Sequence, residues 1–565
     1  MSLPTVRRRR SSRPLGLAAA VTVAILLPGA WLPAAPARDE KWKPLAIVTC
    51  DSYADLKKQL GWLGGQVGQP GLAGMLESVL LMATQGRGLG GLDVKRPLGV
   101  IATTDGQEIA VHGYVPVKSV DKLLESLQGV TGPVERAGDA RNIVLPSGMA
   151  LSILEKDGWA IVAPQGSRPA SADPATLLAP LTDNYSLAVE VFPALMPDWL
   201  RQQLRFLLEQ QAAAAGPEGQ AFDPRAIAAA VDGLVDTESL ALGLAIDPEK
   251  DRVFLENRTV GVPGSATARA MQGSDAGRLT VPLPRAADGG RPAVTGHLLQ
   301  SVPEGSRREV LAGLEAALPQ GSDDPLTRTI ATVVRELLAS VLGTGGIDAA
   351  LAVDPPARGG AGPKVPHVTI GVRVQDGKSL EAQVKQAFGP AGEAGKRLPP
   401  GVKVAFDTGK VAGASLHTIT VDLSDTDAAE SFGRSVDITL ALAPEHAFVL
   451  AGGDPAARLA ALLGPEAQTD PRARPIAGLD VALGRVLAYA GAGQPEAEGD
   501  AGGDGQVQLL VRPLDRGLAT RLTLDGQALR KAAAAGAATA EAPGGRPLPP
   551  GLPLPGGFPI PVPAQ

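Results

Sequence analysis

The chain has 565 residues, 44% hydrophobic and 20% charged, with a formal net charge of −6. That hydrophobic content excludes a disordered chain, and a single cysteine excludes a disulfide framework or a multi-cysteine zinc site. Aromatic residues make up only 3%, which argues against a stacking platform for single-stranded nucleic acid, and about a fifth of the chain is glycine or proline, which suits a turn-rich globular protein of two or more domains.

Residues 7–10 are four arginines, Leu15 to Leu27 is apolar apart from Thr22, and Ala35-Pro36-Ala37 follows. A basic n-region, an apolar h-region and an A-x-A site are the three parts of a secretory signal peptide. The pattern predicts a signal peptide over 1–37, cleaved after Ala37, and an exported protein, periplasmic or extracellular. The alternative is an N-terminal membrane anchor, against which Pro28, Pro33 and Pro36 speak. Loss of 1–37 removes five arginines and no acid, taking the net charge from −6 to −11. An acidic body without a basic patch predicts no nucleic-acid partner and no attraction to anionic membranes. No later stretch is long and apolar enough to span a bilayer once the signal is cleaved. Cys50, after Ile47-Val48-Thr49, reads as a buried thiol ending a strand.

Next along the chain, Gly88-Leu-Gly90-Gly91-Leu92-Asp93 closes an apolar helical stretch, and Gly343-Thr-Gly345-Gly346-Ile347-Asp348 closes another. Glycines past a helix end suit the left-handed cap position. Lys118-Ser119-Val120-Asp121 recurs as Lys378-Ser379-Leu380-Glu381, with Ser119 and Ser379 as helix N-caps and Leu124, Leu127, Val384 and Phe388 on the apolar faces. Leu151 to Ala163 reads as a hairpin turning at Lys156-Asp157-Gly158, and Ile438 to Ala451 is its counterpart, turning at Pro444-Glu445. Leu240, Leu242, Leu244 and Ile246 alternate before Asp247-Pro248; Val507, Leu509 and Val511 alternate before Asp515-Arg516-Gly517. Period-2 alternation gives strands with one buried face. Helical stripes follow at Leu200, Leu204, Leu207 and Leu208, and at Ile330, Val333, Val334, Leu337 and Val341.

The reading is a duplicated α+β protein: mainly antiparallel sheets with helices packed on one face, in two pseudo-repeat halves. The first half covers 38–272 and the second 292–540. Residues 273–291, with Pro282, Pro284 and Gly289-Gly290, form a linker, and 541–565 is a Pro-rich disordered tail.

Candidate chemistry is sparse. Gly86-Arg-Gly88-Leu-Gly90-Gly91 matches a dinucleotide fingerprint, but a helix precedes it and a strand follows, the reverse of what that motif needs. His112, His297, His367, His417 and His446 show no H-x-H, H-x-x-H or H-E-x-x-H spacing. No G-x-S-x-G elbow occurs. Asp323-Asp324 before Pro325 reads as a helix start, and Trp62, Trp159 and Trp199 sit at core spacing. No catalytic, cofactor-binding or metal-binding residue is therefore assigned, and no cofactor is expected.

The hairpin ending Trp159-Ala-Ile-Val-Ala163, and the Lys-Ser-[Val/Leu]-[Asp/Glu] helix start after a hairpin, resemble a family of secreted bacterial proteins of unknown function. That family is built from tandem strand/helix and hairpin–helix modules, and the likeness covers residues 40–535. The Ala/Gly/Pro/Arg-rich composition fits a bacterial source of high GC content. The resemblance implies an exported protein and carries over no functional residue. The functional expectation is an exported, non-enzymatic envelope protein that binds an envelope protein or an apolar ligand. The alternatives are an apolar-ligand or lipid carrier, and a hydrolase with a non-local active site.

Overall fold

In the computed structural model the described residues are 42–541, apart from 168–172, 215–230, 273–279, 283–290, 303, 318–324, 356–364, 427, 465–474 and 490–502. The expected signal peptide, most of the expected linker, Asp323-Asp324 and all but the first residue of the expected tail lie outside the described residues.

Among the described residues, twenty strands form a mixed α+β fold around one antiparallel sheet. In chain order they are β1 (Lys43–Cys50), β2 (Leu98–Thr104), β3 (Ile109–Pro116), β4 (Val134–Ala137), β5 (Ala140–Val144), β6 (Ala150–Lys156) and β7 (Trp159–Pro164). Then come β8 (Leu187–Val191), β9 (Thr237–Asp247), β10 (Arg252–Gly261), β11 (Val294–Ser301), β12 (Gly346–Asp354) and β13 (His367–Arg373). The last are β14 (Val402–Val411), β15 (Ala414–Asp422), β16 (Ser435–Leu442), β17 (His446–Ala451), β18 (Ala477–Ala482), β19 (Gln506–Leu514) and β20 (Gly517–Asp525).

The ladders run β4-β5-β6-β7-β3-β2-β1-β8-β9-β10 and continue β20-β19-β18-β11-β12-β13-β17-β16-β15-β14. Raising each strand number of the first series by ten gives the second, read from the opposite edge. The central ladder joins β10 to β20 through nine residue pairs, and its middle pair is Glu256 and Arg521. The edges are β4, exposed throughout, and β14, which carries a bulge between Ala405 and Gly409.

Local chemistry explains several turns and caps. Asp157 and Gly158 both have positive φ (51° and 73°), as a two-residue hairpin turn needs. Ser119 caps the helix Val120–Ser126 by accepting from Lys122 N–H. The second copy differs from expectation: Asp376, not Ser379, caps the helix Gly377–Phe388, accepting from Lys378 and Ser379 N–H. A carboxylate suits the helix N-terminus better than a hydroxyl. Gly377 also lies where a Cβ would strike the Ala443 carbonyl oxygen.

Helices pack on both faces of the sheet, not on one. Tyr114, Ile161, Ala188 and Phe254 pack beneath Leu178 and Leu181 of the helix Pro174–Thr182. In the other strand series Ala350, Phe448, Ala441 and Leu416 pack with Leu459 of the helix Pro455–Leu463, on the same face. Their alternate neighbours point the other way. Val115, Ala160 and Val162 pack with Val120, Leu123 and Leu124. Val372, Ala447 and Leu440 pack with Leu380 and Val384, and with Val333, Leu337 and Val341 of the helix Pro325–Gly343. The reason is visible in β7, where Trp159, Ala160 and Ile161 are buried in succession. A strand apolar at both parities needs cover on both sides.

Within the expected linker, Thr280 and Val281 donate to the Asp348 carboxylate of β12, and Val281 is buried in the core beside Phe448. Among the described residues no helix is long and apolar enough to cross a membrane.

Candidate functional site

The face that bears Val115 and Ala447 also holds the most unusual surface of the molecule. Leu187, Leu244, Leu255, Leu522, Leu509 and Leu479 lie directly opposite one another along β8-β9-β10-β20-β19-β18. The row continues through Gly296 to Leu351, Ile370 and Val449. With strands ~4.8 Å apart, the six leucines alone span about 24 Å. Rows on either side read Val48, Val189, Leu242, Asn257, Thr520, Val511, and Ile246, Val253, Leu524, Val507, Val481, Val294. Only Asn257 and Thr520 are polar, and none of these residues is charged. Leu187 is 46% exposed and Leu255 44%, with Leu479, Leu509, Ile370 and Val449 also exposed. The flanking rows are partly buried, with Ile246 at 6% exposure, so the exposed apolar surface is the central row, and it is the candidate binding face. At its two ends the face is covered by the helices Val120–Ser126 and Gly377–Phe388.

The opposite face has the buried charges. Glu256 accepts from the Tyr185 hydroxyl and from Arg521 Nε, each at 2.6 Å, and Arg521 lies 4.2 Å over the Phe254 ring. Burial pushes Tyr185 up to about 12, helped by its bond to Glu256. Burial also raises Glu256, but the bonds from Arg521 and Tyr185 outweigh it and hold the carboxyl below its ordinary value. A Cβ at Gly243 would enter the Tyr185 ring. The group is closely packed and internally satisfied, which suits a seam between strands.

Among the described residues Glu381, Asp407 and His417 bring metal-ligating atoms within 4.8 Å of one another. Their chemistry does not fit a metal. Lys385 Nζ already occupies the cation position, 2.8 Å from Glu381 and 2.7 Å from Asp407. His417 Nδ1 accepts from Asp407 N–H at 3.1 Å. The neutral ring therefore carries its proton on Nε2, facing Glu381 at 3.5 Å, and Nε2 has no lone pair for an ion. Burial pushes the imidazole below its ordinary value.

The remaining sequence candidates do not converge. Cys50 ends β1 as expected and is half-buried; burial and then Asp51 push its thiol up. His112, His297, His367 and His417 lie in strands, and His446 opens β17 after a turn. Gly86 and Gly88 follow the helix Leu72–Ala83 with positive φ, a chain exit with no strand before it. Trp159 is buried beneath the Arg96 guanidinium, but Trp62 is half-buried and Trp199 is 38% exposed, donating to the Gln107 carbonyl. Core spacing failed for Trp199 because its helix, Asp198–Ala214, turns that side to solvent.

The leucine row was the feature sequence reasoning missed. Each strand shows its alternation, but only the pairing order brings the leucines into line. No family model, no curated protein and no solved structure matches the chain.

Proposed function

We propose that this chain is an exported, non-enzymatic envelope protein that binds an apolar ligand along the leucine face, as a carrier of a long hydrocarbon chain. The uncharged, half-exposed row from Leu187 to Leu479 is the observation behind this reading. The N-terminal arginines, apolar run and A-x-A site support export, and the repeated ladder order supports two duplicated halves. A peptide strand is a poor occupant, because strand addition needs an open sheet edge and the backbone here is already paired on both sides. A hydrocarbon chain has no polar group to satisfy and gains from apolar burial alone.

The test is native mass spectrometry of the purified protein, followed by titration of delipidated protein with a fluorescent fatty acid. Wild type is expected to co-purify with lipid and to bind the probe. Leu255→Asp/Leu509→Asp, at exposed positions, is expected to lose the probe with unchanged circular dichroism. Reproducible absence of lipid together with no probe binding sinks the proposal.

A further inference from the structure

Among the described residues, one helix has no apolar cover for half of its surface. The helix Leu72–Ala83 reads LAGMLESVLLMA and buries none of its residues. Met75, Val79 and Met82, at i, i+4 and i+7, form one stripe that is 64%, 57% and 74% exposed, with Leu81 beside it. Its single charged residue, Glu77, is bound by Lys57 of the helix Tyr53–Gln66. An apolar segment of ~10–14 residues is ordinarily a core helix or an interfacial one. With no residue buried, the core assignment fails.

We propose that this helix docks on a lipid bilayer of uncharged, zwitterionic headgroups, with Met75, Val79 and Met82 entering the interface. Size favours a bilayer over a second copy of the chain. A twelve-residue helix is ~18 Å long and ~10 Å wide, so its face offers roughly 200 Å², against ~800 Å² per partner in a stable protein pair. Charge selects the headgroup. Lys57 and Lys58 of the neighbouring helix are engaged by Glu77 and Glu249, and the chain as a whole is acidic, so electrostatic recruitment by anionic lipid is disfavoured. Position fits as well. The segment leaving the helix is tied to the helix Val120–Ser126 by Arg87, which donates to the Glu125 carbonyl at 2.8 Å. That helix covers one end of the leucine face. The inference uses different side chains from the ligand-binding proposal and stands without it. Unbranched, adaptable methionine side chains suit a disordered acyl environment.

The experiment is flotation of the purified protein with phosphatidylcholine vesicles. Wild type is expected to float, and Met75→Lys/Met82→Lys to float at least ~10-fold less with unchanged circular dichroism. The single variant Met82→Trp, which removes no apolar surface, is expected to shift its emission to the blue when vesicles are added. Failure of wild type to float, full flotation of the lysine variant, or an unshifted Met82→Trp emission overturns the proposal. So does a lipid-free dimer in sedimentation velocity that the lysine variant abolishes, or salt-sensitive binding confined to anionic vesicles. Leu255→Asp/Leu509→Asp is expected to float like wild type, which separates this failure from that of the ligand reading.

Discussion

Replacing Arg521 by methionine removes the cation from the middle pair of the ladder that joins β10 to β20. Glu256 is 7% exposed and would keep the Tyr185 hydroxyl as its hydrogen-bond donor and the charge of Arg258 nearby. Breaking a fully buried ion pair costs about 3–5 kcal/mol. The Arg521 side chain is 28% exposed, so solvent screening brings the expected loss to about 2–3 kcal/mol. Glu256→Gln keeps an acceptor for Tyr185 and should cost about 1–2 kcal/mol. The two changes share one interaction, so the double variant should fall short of their sum by about 1.5 kcal/mol. The assay is urea unfolding followed by far-UV circular dichroism and tryptophan fluorescence, read as one transition only where the two probes coincide. The pH dependence gives a second reading. Because the folded Glu256 carboxyl sits below its ordinary 4.5, its stabilisation is complete above that value and is lost as pH falls through the folded pKa. Arg521→Met should flatten that acid limb. A coupling below about 0.5 kcal/mol, or an acid limb that keeps its slope, would refute the reasoning.

Two further outcomes follow from the second strand series. Gly377→Ala would drive a methyl into the Ala443 carbonyl, part of the backbone, so we expect a stability loss above ~2 kcal/mol, read as a lowered urea midpoint; an unchanged midpoint would show that the turn yields. His417 is held neutral below its ordinary 6.5, chiefly by burial, so its stabilisation is complete above that pH and falls as pH drops through the folded value. His417→Asn keeps an acceptor for Asp407 N–H and should flatten the fall in Tm below pH ~6.5, while His367 and His446, also lowered by burial, retain their share. A pH profile identical to wild type would count against this account.

Short-range structure was legible where a residue has one physical use. Asp157-Gly158 can hardly be anything but a hairpin turn, and Ser119 capped its helix as read. The alternations at Leu240 to Ile246 and Val507 to Val511 identified β9 and β19 and the parity of their faces. Partners were not legible. An alternating strand states which face is apolar but not which strand lies beside it, and Arg521 meets Glu256 across 265 residues. The same limit hid the candidate site, since six leucines become one surface only after five ladders are in register. Helix placement failed for a related reason: β7 has apolar residues at both parities, and the expectation of cover on one face did not count them.

Among the described residues the sheet of twenty strands has two ends. The ladder has, among the described residues, one edge at β4 and another at β14, and joining such edges from copy to copy would build an open-ended filament instead of a closed dimer. Both edges resist that. β4 is four residues long, with Glu135 and Arg136 exposed; β14 carries Lys403 and Lys410 and breaks its register at Asp407, which has φ 55°. Charges and a bulge at these two borders oppose growth from either end. Resistance to edge-to-edge growth thus rests on a handful of border residues, far from the seam and from the leucine floor.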